Sequence, residues 1–275
     1  MGSRDRLIRP PGAAASPALA QSAVLRWLDA RRSFTAVVLD MDGLMLDTEI
    51  VEFRAWQRAA DDFGWSMSDE QYLQLIGKTH RDAWAALTAW WDARPGRCGS
   101  LAAIADRAAG YASAETISVK PGLLDLLSWA HREQVPVAVA SSSARATVVS
   151  RLSAAAVSDA IADIAGGDEV AHGKPAPDVF LLAAGRLGCE PDACVVIEDS
   201  DSGIAGASAA GMTPFLVPDS SIPREIPAAV RARAYHVCDS LIEVLDILSA
   251  ASMHRPLLTG CTSSSAVPGN RRHGR

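Results

Sequence analysis

The chain has 275 residues, 49% hydrophobic and 21% charged, enough to bury a large core in one or two domains. Its formal net charge of −6 offers no electrostatic footprint for nucleic acid, and no apolar run approaches the roughly 18 residues that cross a bilayer. Five scattered cysteines without a Cys-x-x-Cys pair suit reduced thiols better than a disulfide framework or a zinc site. The expectation is a soluble cytoplasmic protein with neither nucleic acid nor membrane as partner, monomeric or a weak homodimer.

Residues 1–33 are rich in Arg, Ala and Pro, and Pro10-Pro11 blocks a helix, so this extension is expected to be largely disordered. Its arginines and scarcity of acids also fit an organelle transit peptide. Val24, Trp27 and Leu28 have helical spacing and predict a short amphipathic helix. Val37-Val38-Leu39 then reads as a buried parallel strand that stops in Asp40-Met41-Asp42-Gly43. Residues two apart on an extended segment face the same way, so Asp40 and Asp42 can converge beyond the strand's carboxyl end, where open α/β sheets hold ligands. Paired carboxylates raise one another's pKa unless a cation sits between them, which predicts a bound divalent metal, a shared proton, or both. A solvated turn containing two acids is the plainer alternative.

From Val51 to Ser118 the pattern is helical throughout: Val51, Ala55 and Ala59 up to Gly64, then 72–76, 83–91 and 101–111. A single crossover helix normally links parallel strands, so this stretch reads as a separate helical domain over 49–118. Five of the seven tryptophans fall in it (Trp56, Trp65, Trp84, Trp90, Trp91) and are expected to pack between its helices. Alternation resumes with a helix opened by Pro121, strand 135–140 ending in Ser141-Ser142-Ser143, a helix to about Ala155 and strand 161–165. Helix 178–187, strand 194–197 ending in Glu198-Asp199, helix 203–210, strands 213–217 and 235–238 and helix 241–248 complete the series. Strands separated by helices imply a doubly wound, Rossmann-like parallel sheet formed by 34–48 and 119–250, and a basic, disordered tail over 251–275.

Four strand ends and turns therefore bring polar groups to one crevice: Asp40 with Asp42, Ser141, Lys174, and Glu198 with Asp199. Such a set of carboxylates needs a cation, and all-oxygen ligands favour Mg²⁺. A lysine and a hydroxyl beside that cation make a trap for a phosphate dianion. An aspartate between metal and phosphoryl group can attack phosphorus in line, and its neighbour two residues on can serve as acid and base. Lys174 taken alone would read as a solvated loop lysine.

These residues resemble the motifs of the haloacid dehalogenase superfamily, in the branch with a helical cap after the first strand that includes β-phosphoglucomutase-like phosphatases. The similarity spans about Thr35 to Leu248 and rests on Asp40-Met41-Asp42-Gly43-Leu44-Met45-Leu46-Asp47-Thr48-Glu49, the Ser141 strand end, Gly173-Lys174-Pro175-Ala176-Pro177-Asp178, and Glu198-Asp199-Ser200-Asp201-Ser202-Gly203. The resemblance implies that Asp40 is the nucleophile forming an aspartyl-phosphate and Asp42 the general acid/base. It implies that Asp40, the Asp42 carbonyl and Asp199 hold Mg²⁺, with Glu198 directly or through water. Ser141 and Lys174 would bind phosphoryl oxygens, helped by backbone N–H groups near Gly43 and Ser142, while Asp47, Thr48 and Glu49 would form the hinge into the cap.

The acid at Asp42 favours phosphate ester chemistry over dehalogenation. Mutases of this branch carry a histidine where this chain has Glu52, and an arginine in the cap loop where ungapped matching places His80, with Arg81 adjacent. Both departures favour transfer to water over sugar-phosphate mutation. Glu52, Lys78, His80 and Arg81 are the candidates for substrate selection, although Gly77 to Arg81 also reads as a solvated basic turn. His172 is expected to be a surface residue. The expected function is a Mg²⁺-dependent phosphatase of a small phosphorylated metabolite, a sugar phosphate in class; the alternatives are a mutase and a catalytically silent binding protein of the same fold.

Overall fold

The computed structural model describes residues 34–75, 80–221 and 226–252. The helix expected near Trp27, the loop residues Gly77, Lys78 and Thr79, and the basic tail from Met253 lie outside the described residues. Six parallel strands run in the order β3-β2-β1-β4-β5-β6. They are β1 (Ala36–Leu39), β2 (Val137–Ala140), β3 (Asp163–Ala165), β4 (Cys194–Glu198), β5 (Thr213–Leu216) and β6 (His236–Val237). β1 sits at the centre, pairing Leu39 with Val139 on one side and with Ile197 on the other. That register carries the chain ends after Leu39, Ala140 and Ile197 to one edge of the sheet.

Strand periodicity of two divides the sheet's side chains between two layers. Val37, Leu39, Val139 and Ile197 face helices α5 (Leu123–Arg132) and α10 (Leu241–Ser252). Val38, Ala138, Ala140 and Val196 face α7 (Asp178–Leu187) and α8 (Asp201–Ala209). The alanines on this second face let the helices approach closely. α6 (Arg145–Ala154) and α9 (Ala228–Arg233) complete the sheet's surroundings. The fold is thus the doubly wound α/β sheet that the sequence pattern implied.

Between β1 and α5 the chain forms α1 (Thr48–Asp62), α2 (Asp69–Leu73), α3 (His80–Asp92) and α4 (Leu101–Ala114). These helices have their own apolar cluster, with Trp65 and Trp91 buried and their rings 5.9 Å apart. Trp56, Trp84 and Trp90 pack against it half-buried, so tryptophan serves packing here. The chain enters and leaves this helical unit side by side. Leu46 bridges Val119, Asp47 N–H donates to Ser118 O at 2.9 Å, and Lys120 N–H donates to Met45 O at 2.8 Å. The two crossings lie directly after the Asp40–Asp42 turn.

Several element ends differ from the sequence expectation, each for a local reason. β2 begins at Val137, because Val135 N–H closes onto Ala130 O of α5 and Pro136 has no N–H to give. β3 begins at Asp163, since Ile161 N–H turns back to Ser158 O. α5 starts at Leu123 rather than Pro121, with Gly122 in the left-handed region at φ 88° as its N-cap. The helix expected over 72–76 forms instead at Asp69–Leu73, fixed by a capping box of Ser68 and Gln71. The short α9 was not expected from the sequence, its six residues holding too little periodicity.

Candidate active site

Asp40 directly follows β1, and Glu198 ends β4 with Asp199 next to it. Because β1 and β4 are neighbours in register, the three carboxylates converge, with one oxygen of each within 4.8 Å of the others. All three are buried. Lys174 reaches them from the turn before α7 and is itself buried. Its Nζ donates to Asp40 Oδ1 at 2.5 Å, Glu198 Oε1 at 2.6 Å and Ala140 O at 3.0 Å. The second Glu198 oxygen, Oε2, accepts from Ser200 N–H at 2.6 Å and Ser200 Oγ at 2.8 Å. Ser200 Oγ also caps α8 by accepting from Gly203 N–H at 3.0 Å. A Cβ on Gly203 would fall inside the Glu198 carboxylate, so glycine is required there by space.

The electrostatics follow from burying several acids around one ammonium. Burial pushes the Asp40 carboxyl up to about 8, with Glu198 and Asp42 adding to the rise and Lys174 opposing it. Burial alone would lower the Lys174 ammonium, but Asp40 and Glu198 hold it above its ordinary value. The cluster carries more negative charge than Lys174 can offset. Buried oxygen donors with surplus negative charge are what a hard divalent cation requires, so the residues fit Mg²⁺.

Gly43 adopts φ 82°, a left-handed conformation that turns the chain away after Asp42. Its N–H donates to Leu46 O at 3.0 Å and closes the turn. The side chain of Asp42 does not join the three carboxylates. Its Oδ2 accepts from Ser143 Oγ at 2.9 Å and Ser141 Oγ at 3.4 Å, and its Oδ1 pairs with Arg151 Nη1 at 2.5 Å. Ser141, fully buried at the end of β2, also accepts from Ser143 N–H at 3.0 Å. Ser142 lies exposed at the mouth of this turn. Asp40, Asp42 and Gly43 thus follow β1, Ser141 and Ser142 follow β2, and Glu198 and Asp199 close β4, with the Lys174 ammonium between Asp40 and Glu198.

A profile of haloacid dehalogenase-like hydrolases matches residues 34–211. The chain belongs to this family. It is 34% identical over 182 residues to fructose-1-phosphate phosphatase YqaB of Escherichia coli, covering 65% of this chain and 94% of the relative. It is 28% identical over 177 residues to a phosphorylated carbohydrates phosphatase of Thermotoga maritima, covering 64% and 82%. A haloacid dehalogenase family hydrolase from Deinococcus radiodurans, solved with bound phosphate and sodium, superposes with a TM-score of 0.69 at 27% identity, covering 80% of this chain and 97% of that one.

Two site residues of this haloacid dehalogenase-like hydrolase were not legible in its sequence. Ser143 reads in the sequence only as part of the strand end, yet its hydroxyl is the nearer serine contact of Asp42. Arg151, on α6, carries no mark of a role in the sequence. Its guanidinium links Asp42 on the core to Glu52 on α1, the latter at 3.1 Å. Nothing local marks an arginine in an amphipathic helix as a partner for a carboxylate 109 residues earlier. Glu52, a candidate for substrate selection, is thereby placed against the core.

Arg151 and Glu52 also stand in the wall of a cleft of about 880 Å³ between α1, α4 and α6, whose other lining is largely alanine. The Asp42–Arg151–Glu52 chain joins that cleft to the aspartate turn. Of the other candidates from the cap loop, His80 is the first residue of α3, Arg81 lies exposed beside it, and Lys78 is outside the described residues. His172 is exposed, as expected of a surface residue, with Nδ1 3.2 Å from Asp178 Oδ2.

Proposed function

We propose that the chain is a Mg²⁺-dependent phosphatase that hydrolyses a small phosphorylated metabolite, a sugar phosphate in class, through an aspartyl-phosphate on Asp40. The observation that carries this reading is the buried convergence of Asp40, Glu198 and Asp199, the first two ion-paired with Lys174, beside the separately held Asp42. Asp40 and Asp199, with the Asp42 carbonyl, would hold Mg²⁺. Both Glu198 oxygens already accept hydrogen bonds, which suits it to fix Lys174 and to reach the cation through water. Bound there, Mg²⁺ would neutralise charge on the phosphoryl oxygens.

The chain's own residues divide the remaining work. Lys174, its three N–H groups taken by Asp40, Glu198 and Ala140 O, orients the attacking carboxylate and lends its positive charge to the phosphoryl group, toward which Ser141 would turn its hydroxyl. Asp40 forms a bond to phosphorus as the ester O–P bond breaks, and Asp42 gives its proton to the leaving oxygen. Asp42 then takes a proton from water as that water attacks phosphorus, releasing inorganic phosphate and freeing Asp40. Closure of the helical unit over its hinge would exclude bulk water until the substrate is seated. The relatives' names, a fructose-1-phosphate phosphatase and a phosphorylated carbohydrates phosphatase, support the sugar-phosphate class.

Small phosphorylated substrates are the only partners this reading needs, and it places the enzyme in the cytoplasm as a monomer or weak dimer. The test is phosphate release from a panel of sugar phosphates and other metabolite phosphates, with Mg²⁺ or EDTA, for wild type and Asp40→Asn. Metal-dependent release abolished in Asp40→Asn is expected. Isomerisation of a hexose 1-phosphate without phosphate release would replace hydrolysis with mutase chemistry. A folded, Mg²⁺-loaded protein inert across the panel would sink the sugar-phosphate assignment.

A further inference from the structure

One buried carboxylate beside the site has no task in the chemistry above. Asp219 follows β5 and is only 5% exposed. Its Oδ1 is fully engaged, accepting from Lys120 Nζ at 2.5 Å, Ser221 N–H at 2.8 Å and Ser221 Oγ at 2.7 Å. Its Oδ2 is buried and, among the described residues, accepts no hydrogen bond. A buried carboxylate oxygen without a donor is unfavourable, so a donor is expected to reach it. Lys120 cannot turn to it, because its ammonium is held between Asp219 and Asp47, the latter at 2.6 Å.

This oxygen lies next to Gly43. A Cβ on Gly43 would stand 2.5 Å from Asp199 Oδ2 and 3.4 Å from Asp219 Oδ2. The absent side chain therefore leaves a gap with an oxygen of Asp199 on one side and the unpartnered oxygen of Asp219 on the other. Asp219 is not among the carboxylates that converge within 4.8 Å, so it lies outside that set. We propose that Asp219 belongs to the cation site as an outer acceptor, its Oδ2 taking a hydrogen bond from a water bound to the metal that Asp40 and Asp199 hold. This rests on the Mg²⁺-dependent reading given above. Lys120 then ties the outer acceptor to Asp47, so the cation site and the hinge share one buried ion chain.

The test measures metal binding directly, by calorimetry with Mg²⁺ and by electron paramagnetic resonance with Mn²⁺, on the full chain. Asp219→Asn keeps the shape and the Oδ1 acceptor but puts an N–H donor where the unpartnered oxygen was. It is expected to bind both cations about 10–100-fold more weakly, the usual effect of losing an outer-shell partner. Its metal-free melting temperature is expected to fall, because the buried pair with Lys120 loses its negative partner, and separately the rise on adding Mg²⁺ is expected to shrink. Asp219→Ser is the second variant should the first fail to fold, with the same expectation. Ser221→Ala loosens Oδ1 and spares Oδ2, and is expected to bind as wild type does. Asp219→Asn affinity within about twofold of wild type, with Asp199→Asn abolishing binding, would overturn the proposal and leave the phosphatase reading intact. Equal weakening in Ser221→Ala would also overturn it, as a packing effect. Failure of wild type to bind either cation would remove both.

Discussion

Replacing Lys174 by Met is the perturbation that most directly separates a charge-balanced site from a merely crowded one. Methionine keeps the length and apolar stem of the side chain and removes the ammonium. Lys174 is 3% exposed and its two acidic partners are 9% and 1% exposed, so solvent screens none of them appreciably. Removing one partner of a buried ion pair typically costs about 3–5 kcal/mol, because the other charge is left uncompensated. At roughly 2–4 °C per kcal/mol for a chain of this size, the melting temperature is expected to fall by about 6–20 °C.

The loss should depend on pH in a definite sense. Asp40 has its carboxyl raised by burial from 3.8 to about 8, so it disfavours the fold progressively as pH rises through that window. Above its folded pKa wild-type Asp40 ionises beside Lys174, whereas without Lys174 nothing nearby opposes the rise, so the deficit of Lys174→Met is expected to be larger at about pH 9 than at about pH 6. Mg²⁺ binds only the folded site and is expected to restore part of the difference. Thermal unfolding followed by circular dichroism, at both pH values with and without Mg²⁺, measures all of this. A deficit equal at both pH values and indifferent to Mg²⁺ would refute the charge argument.

Further outcomes follow from the same geometry. Gly203→Ala pushes the Glu198 carboxylate off Lys174 and Ser200, and kcat is expected to fall about a hundredfold, as for other small displacements of a positioned group; wild-type turnover in a folded variant would contradict it. Arg151→Met leaves Asp42 held only by Ser141 and Ser143. Its kcat is expected to drop about ten- to a hundredfold with little change in Mg²⁺ affinity, measured by steady-state kinetics beside calorimetry. Because Asp40 is raised to about 8, Mg²⁺ binding at neutral pH should displace a proton. Calorimetry in buffers of different ionisation enthalpy is expected to show nearly one proton released at pH 7, falling toward none above about pH 9.

The sequence by itself determined the sheet, the helical unit between β1 and α5, and the residues at the strand ends. Those follow from local rules: apolar runs of strand length, helical spacing from Val51 to Tyr111, and acids or serines where β1, β2 and β4 stop. Element ends were less legible because single backbone bonds set them, as where Val135 closes onto Ala130. What only the tertiary structure decided is which of the gathered groups touch. Lys174 could be read as a solvated loop residue until β1 and β4 brought two buried carboxylates to its ammonium. Asp42 pairs with Arg151, and Asp219 with Lys120, across 109 and 99 residues respectively. Periodicity places a residue on a face, but long side chains meet across such separations only through the packing of whole helices against the sheet, which no local pattern encodes.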